Sequence, residues 1–163
     1  STYAFSGCRA LRAVYMPVCE VISARAFQNC SSLSNAVFQA CNEIGYLAFS
    51  SCSALNTLTV CNPSISQNIF LNCWHFMSVY VLNSSSDIAP IYSDTFTGTP
   101  IGGYTTVTDQ YGSIFVRESL YSYYLSAEGW SLYSDRIVSC SYLELEQALS
   151  ANISVITAGI ITW

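Results

Sequence analysis

Ala26-Phe27-Gln28-Asn29-Cys30-Ser31-Ser32-Leu33-Ser34-Asn35-Ala36-Val37-Phe38 decides the fold, because the same pattern recurs along the chain. Its opening phrase returns as Ala4-Phe5-Ser6-Gly7-Cys8, Ala48-Phe49-Ser50-Ser51-Cys52 and Ile69-Phe70-Leu71-Asn72-Cys73, with a weaker fifth copy in Thr95-Phe96-Thr97-Gly98-Thr99. Phe5, Phe27, Phe49, Phe70 and Phe96 are therefore 22, 22, 21 and 26 residues apart. Three residues after each Cys stand Leu11, Leu33, Leu55 and Phe76. Each opens an alternating run: Leu11-x-x-Val14-x-Met16, Leu33-x-x-Ala36-x-Phe38, Leu55-x-x-Leu58-x-Val60 and Phe76-x-x-Val79-x-Val81. Ile22, Ile44, Ile65 and Ile91 precede the later Phe residues in the same register.

Alternation over so few residues predicts short strands, one per repeat. A coil of about 22 residues cannot bury its own apolar face. Stacked coils can, because each strand pairs with its predecessor at a spacing of ~4.8 Å. Like side chains then fall into ladders, with Leu, Val and Ile on the strand side and Phe opposite. The Ala-Phe-x-x-Cys stretch is too short for a long helix and predicts one helical or 3₁₀ turn.

The phrase Ala-Phe-x-x-Cys-x-x-Leu-x-x-Val-x-(apolar)-Pro, read from Ala4 to Pro17, resembles the BspA-like leucine-rich repeat over residues 1 to about 100. The resemblance implies an α/β repeat solenoid: a right-handed coil, a parallel sheet on one face and short helical turns on the other. Departures are visible. Only Pro17 keeps the proline after the strand, the third coil is one residue short, and Asn83-Ser84-Ser85-Ser86 stretches the fourth.

After Phe96 the periodicity stops. Thr99-Pro100-Ile101-Gly102-Gly103 reads as a turn cluster, and Gly112 to Val116 as a strand. Glu118 to Glu128 reads as a helix with Leu120, Tyr123, Tyr124 and Ala127 on one face, ended by Gly129. Trp130, Tyr133 and Ile137-Val138 follow. Residues 101–139 thus have the composition of an α+β cap over the last coil. The segment resembles the element that commonly follows such repeats in bacterial and phage proteins, with Arg117 standing where proline is expected. In the tail, 140–163, Leu143 to Ser150 has helical propensity and Ile153 to Trp163 looks strand-like. The tail is expected to pack on the cap or to drive self-association.

With 52% apolar and only 9% charged residues, the chain is not of the disordered class. Five Arg and no Lys against ten acidic residues give a formal charge of −5. That balance argues against nucleic acid and anionic lipid as partners. No apolar run approaches the ~20 residues of a membrane span, and no signal peptide is visible. Because the chain opens at Ser1 in mid-repeat, coils upstream are expected to be missing.

Eight Cys would suggest disulfides in an exported chain. The repeat argues otherwise. Cys8, Cys30, Cys52 and Cys73 share one position, and Cys19 and Cys41 another. Side chains stacked in parallel keep their Cβ atoms ~4.8 Å apart, whereas a disulfide wants ~3.8 Å and converging vectors. These Cys read as small buried hydrophobes, with Cys61 and Cys140 as candidate free thiols. No Cys-x-x-Cys occurs and His75 is the lone histidine, so a zinc site is not expected, nor any other cofactor. His75 lies in no nucleophile motif and reads as a turn residue. Trp74 and Trp130 read as structural. Glu144 and Glu146 do not share a helical face, and Asp87 and Asp94 read as turn caps. Asn29, Asn83 and Asn152 lie in glycosylation sequons. No enzymatic constellation emerges.

The residues between the ladder positions point outward. Arg12, Tyr15, Asn35, Val37, Thr57, Thr59, Ser78 and Tyr80 form the candidate ligand-binding face, with Ala13 beside them. Tyr15 and Tyr80 are the expected anchors, and Arg12 a carboxylate contact. The resemblance implies a surface-displayed, extracellular adhesion module that binds a host or bacterial surface protein or glycan. A bacteriophage tail or receptor-binding component, located in the virion, is the alternative. An accessory domain of a larger hydrolase is the third.

Overall fold

The computed structural model describes residues 1–103 and 110–158. Its elements run β1 (Ala13–Tyr15), β2 (Val21–Ile22), β3 (Asn35–Phe38), β4 (Glu43–Ile44), β5 (Thr57–Val60), β6 (Ser64–Ile65), β7 (Ser78–Val81), β8 (Ser113–Arg117), α1 (Tyr121–Ser126), β9 (Ile137–Cys140) and α2 (Tyr142–Ala158). The chain is a solenoid. Strands β1, β3, β5, β7, β8 and β9 form one sheet in that order, parallel throughout. β2, β4 and β6 form a second, narrow sheet, prolonged by a bridge from Ile65 to Ile91.

Register follows the apolar pattern, since a one-residue slip would turn every side chain to the wrong face. Val14, Ala36, Leu58, Val79, Ile114 and Ile137 pair in succession and are all buried. Opposite them the Phe residues stack as a column. Successive centroid distances along Phe5, Phe27, Phe49, Phe70 and Phe96 are 5.1, 5.3, 5.9 and 5.6 Å, with neighbouring ring planes within 14° of parallel. These spacings exceed the rise between strands, so the rings slide into the offset stack that aromatic quadrupoles favour.

The turn side holds no helix among residues 1–103, in place of the expected helical turn. Alternate backbone N–H groups point to different coils. Gln28 and Cys30 donate within their own coil, to Arg25 and Phe27 carbonyls, whereas Phe27 and Asn29 donate to Ala48 and Ser50 of the next. A helix would direct all its N–H groups along its own axis. The close neighbouring coil offers acceptors instead, so these turn N–H groups are paired without a helix. The geometry requires left-handed backbone at two sites in each of the first four coils: Tyr3, Arg25, Leu47 and Asn68 have φ between 55° and 62°, and the second site lies four residues further on. At this second site Gly7, Asn29, Ser51, Asn72 and Gly98 all have φ between 62° and 77°. That position is held by Gly, Asn and Ser only, the first two being residues that tolerate this region best.

Sequence periodicity ends at Phe96, but the solenoid does not. β8 takes the next strand place after β7, with Ser78, Val79 and Tyr80 opposite Ser113, Ile114 and Phe115. The expected cap helix is shorter than predicted: a 3₁₀ turn at Glu118–Leu120, then α1. Leu120 and Tyr124 are buried while Tyr123 is exposed, because adjacent helical residues point about 100° apart. Gly129 does not end α1, which already stops at the extended Ala127; it opens a 3₁₀ stretch, Trp130–Arg136. Trp130 Nε1–H donates to the Ala89 carbonyl at 2.8 Å and Tyr133 Oη–H to that of Ser93 at 2.7 Å. Both rings abut Phe96, so the cap closes the aromatic column.

The tail corrects a second expectation. Ile153 to Ala158 belong to α2 and are not a strand; residues 159–163 lie outside the described residues. Ile153, Val155 and Ile156 disfavour a helix slightly. Packing overrides that bias, because Leu145, Leu149, Asn152, Ile153 and Ile156 fall on one helical face. Ser141 and Glu144 start the helix with a capping box. Glu144 Oε2 accepts from the Ser141 N–H and Oγ–H at 2.7 and 2.8 Å, while Glu144 N–H donates to Ser141 Oγ. These bonds, the backbone one foremost, lower the Glu144 pKa.

Candidate functional site

The outer sheet face has two columns. One is Ala13, Asn35, Thr57, Ser78 and Ser113; the other is Tyr15, Val37, Thr59, Tyr80, Phe115 and Val138. Neither contains a charged residue. The sequence places both columns correctly but gives the wrong exposure for three residues. Val37 and Thr59 are wholly buried and Thr57 nearly so. The cause is α2, which lies across the face and packs on β1, β3, β8 and β9. Val37, Leu149 and Ile156 form a small apolar cluster with Ala13, Leu82 and Ile153 around it. Asn152 Nδ2 donates to Thr59 Oγ1 at 3.4 Å.

The other predicted residues stay open, fully or in part. Arg12 and Tyr15 are exposed, and Tyr15 Oη–H donates to Gln39 Oε1 at 3.1 Å. Asn35, Ser78 and Tyr80 are half-buried. Tyr80 stacks on Phe115 at 4.6 Å and 11°, and burial, first among the causes, raises its pKa. Between β1 and the last turns of α2, Leu11, Arg12, Ala13, Tyr15, Val155 and Ile156 line an open groove of about 600 Å³. The sequence signal for α2 was present in the capping box and the spacing of its apolar residues. Arg117, the departure from the expected proline, lays its guanidinium over the Tyr142 ring at 4.8 Å and so ties β8 to the start of the helix.

Cysteine chemistry is quiet. Cys30, Cys41, Cys52 and Cys73 are buried, and all eight thiols are free. Cys30, Cys52 and Cys73 each donate through Sγ–H to a Phe carbonyl of the preceding coil at 3.0 Å, Phe5, Phe27 and Phe49 respectively. Cys8 and Cys19, in the first coil, are exposed and half-exposed, unlike their repeat equivalents. Desolvation above all raises the Cys52 pKa from 9.0 to about 12 and that of Cys41 to about 11. Such thiols must stay protonated in the fold but ionise near 9.0 once released. Their stabilisation is therefore complete below pH 9 and is lost as pH rises towards 12. Urea midpoints are expected to be level from pH 7 to 8.5 and to fall steadily above pH 9; an unchanged midpoint at pH 10.5 would contradict this. At pH 8 a thiol reagent should label Cys8 first and leave Cys52 and Cys73 untouched until unfolding.

His75 is an exposed turn residue whose Nδ1 donates to the Ser53 carbonyl at 2.7 Å. Trp74 is exposed, against the structural role expected of it, whereas Trp130 is buried. Among the described residues, no group of three His, Cys, Asp or Glu is placed to hold a metal ion, and no helix is long and apolar enough to cross a membrane.

The stacked coils, the in-register sheet and the Phe column specify a leucine-rich repeat, and a family comparison names its type. The model for the BspA type leucine rich repeat region matches residues 1–122, in six copies. The chain belongs to this family. No curated protein and no solved structure matches it. The match runs past Phe96 through β8, as expected if the BspA-type coil continues there with a long insertion. Repeat modules of this family are generally non-catalytic.

Proposed function

We propose that this BspA-type module is a non-catalytic recognition unit, displayed at a cell surface, that binds a protein through the outer sheet face. The observation that carries the reading is the open groove beside β1. It combines apolar Leu11, Ala13 and Ile156 with an exposed Tyr15 and the charge of Arg12. An aromatic anchor, an Arg and a small apolar floor are the composition of protein-binding hot spots. A sugar would ask for several convergent polar groups, which this groove lacks. The platform is rigid because strands and turns are bonded from coil to coil, so binding requires little ordering of the backbone.

An array of surface proteins, matrix proteins and glycans, probed with the full chain and with Arg12→Ala/Tyr15→Ala, tests it. Both side chains are exposed, so the fold is expected to survive. Signal on a protein, reduced at least about tenfold in the double variant, supports the reading. Equal signal from both chains, or signal confined to glycans, overturns it.

A further inference from the structure

The helix lying on the sheet face shows what kind of partner that face fits. We propose that the outer sheet face is a receptor for an amphipathic helix with an uncharged contact stripe, that α2 is its resident occupant, and that a partner's helix binds by replacing α2. The inference rests on the recognition reading above and names the partner's chemistry.

Three observations carry it. First, α2 is not part of the solenoid core. The main apolar cluster runs from Val14 to Ile137 without any residue of α2, whose Leu149 and Ile156 belong to the separate small cluster on Val37. The strands satisfy their backbone among themselves, so removing α2 leaves no strand hydrogen bond unmade. Second, the face is built for a helix. Its covered positions are small or apolar (Ala13, Val37, Thr59), and they meet one stripe of α2, Leu149, Asn152, Ile153 and Ile156, which the buried Leu145 extends by a turn. That spacing is i, i+4, i+7, i+8 and i+11, the signature of helix-in-groove recognition. Third, charge matches. Neither sheet column nor the stripe carries a charge, Arg117 at the edge of the face is taken up by the Tyr142 ring at the start of α2, and a polar pair joins Asn152 to Thr59. The partner helix therefore has aliphatic residues at i, i+4, i+8 and i+11 and an amide or hydroxyl at i+7.

Single-residue linkage through Ser141 keeps α2 close to the face at high effective concentration. A competing helix then binds the intact chain weakly, its affinity scaled by the fraction of molecules with the face open. Ordering a whole helix for a few buried side chains keeps that docking marginal.

The probe is a fluorescein-labelled peptide with the sequence of residues 141–158, titrated with the full chain by anisotropy. The unsubstituted chain is expected to bind it weakly, and Leu149→Asp/Ile156→Asp at least about tenfold more tightly. Adding Val37→Asp to that variant should abolish binding. Light scattering in the same samples distinguishes a second copy: a dimer formed by the unsubstituted chain that the peptide dissolves would overturn the partner-helix proposal in favour of exchange between copies. No peptide binding to the Leu149→Asp/Ile156→Asp chain, with its strand circular dichroism intact, also overturns it. Hydrogen exchange on the unsubstituted chain covers the case of a misfolded variant. Amides of residues 145–156 should exchange at least about a hundredfold faster than those of β3 and β5; equal protection overturns displacement. Array signal lost in Arg12→Ala/Tyr15→Ala without peptide binding would sink this proposal while leaving the recognition reading standing.

Discussion

Phe49→Ala is expected to lower the thermal midpoint by roughly 10 °C, the largest effect of any single truncation in the array. Phe49 is wholly buried and stacks on both sides, on Phe27 at 5.3 Å and on Phe70 at 5.9 Å, with the edge of Phe38 at 6.2 Å. Replacing a buried Phe by Ala costs about 3–5 kcal/mol, because the cavity adds to the lost transfer energy. For a domain of this size each kcal/mol shifts the midpoint by about 2–4 °C. A solenoid is coupled only through neighbouring coils, so a gap in the middle weakens two interfaces at once. Phe5→Ala serves as the internal comparison. Phe5 is only half-buried and stacks on Phe27 alone, so the same truncation should cost about a third as much. Calorimetry of the two variants checks the argument. Equal losses would mean that the column does not act as a stack.

Gly129→Ala is the second large effect, expected to cost about 2–5 kcal/mol. Its φ is 78°, where a side chain costs about 1–2 kcal/mol. A Cβ at that point would stand 1.9 Å from the Ile91 carbonyl oxygen and 2.8 Å from Ile91 Cγ1, so the overpacking term of about 1–3 kcal/mol adds to the strain. The backbone of Gly129 enters the stretch that seats Trp130 and Tyr133 on Phe96. Pushing it away from Ile91 should loosen the cap and weaken the near-ultraviolet signal from the Trp130–Tyr124 and Trp130–Phe96 pairs. Gly98 has almost the same φ, 77°, but open space around it. Gly98→Ala should therefore cost only the strain. A Gly129→Ala variant no less stable than Gly98→Ala would show that the close approach to Ile91 is unimportant.

The residues of the ladders explain how much was legible. Val14, Ala36, Leu58 and Val79 could be assigned to one buried column from spacing alone, because stacking repeats turns sequence period into spatial alignment. Thr57 and Thr59 could be assigned to the opposite face for the same reason. Whether that face met water could not be read from them. Their side chains suit either a solvated strand or the underside of a helix. The turn ladder was hidden differently. A run such as Arg25 to Cys30 has no local sign that Phe27 and Asn29 will donate to the next coil, since the acceptors on Ala48 and Ser50 lie more than twenty positions away.

By itself the sequence determined the repeating coil: its period, its strand register, the Phe column and the buried thiols. These follow from one local rule, that like positions stack and exclude water together. Only the tertiary structure decided that β8 resumes the sheet beyond the insertion, that the turns bond between coils, and that α2 covers the face left polar by the strands. Each of those outcomes depends on which distant surface lies within reach, and that distance is set by the folded chain, not by the order of its residues.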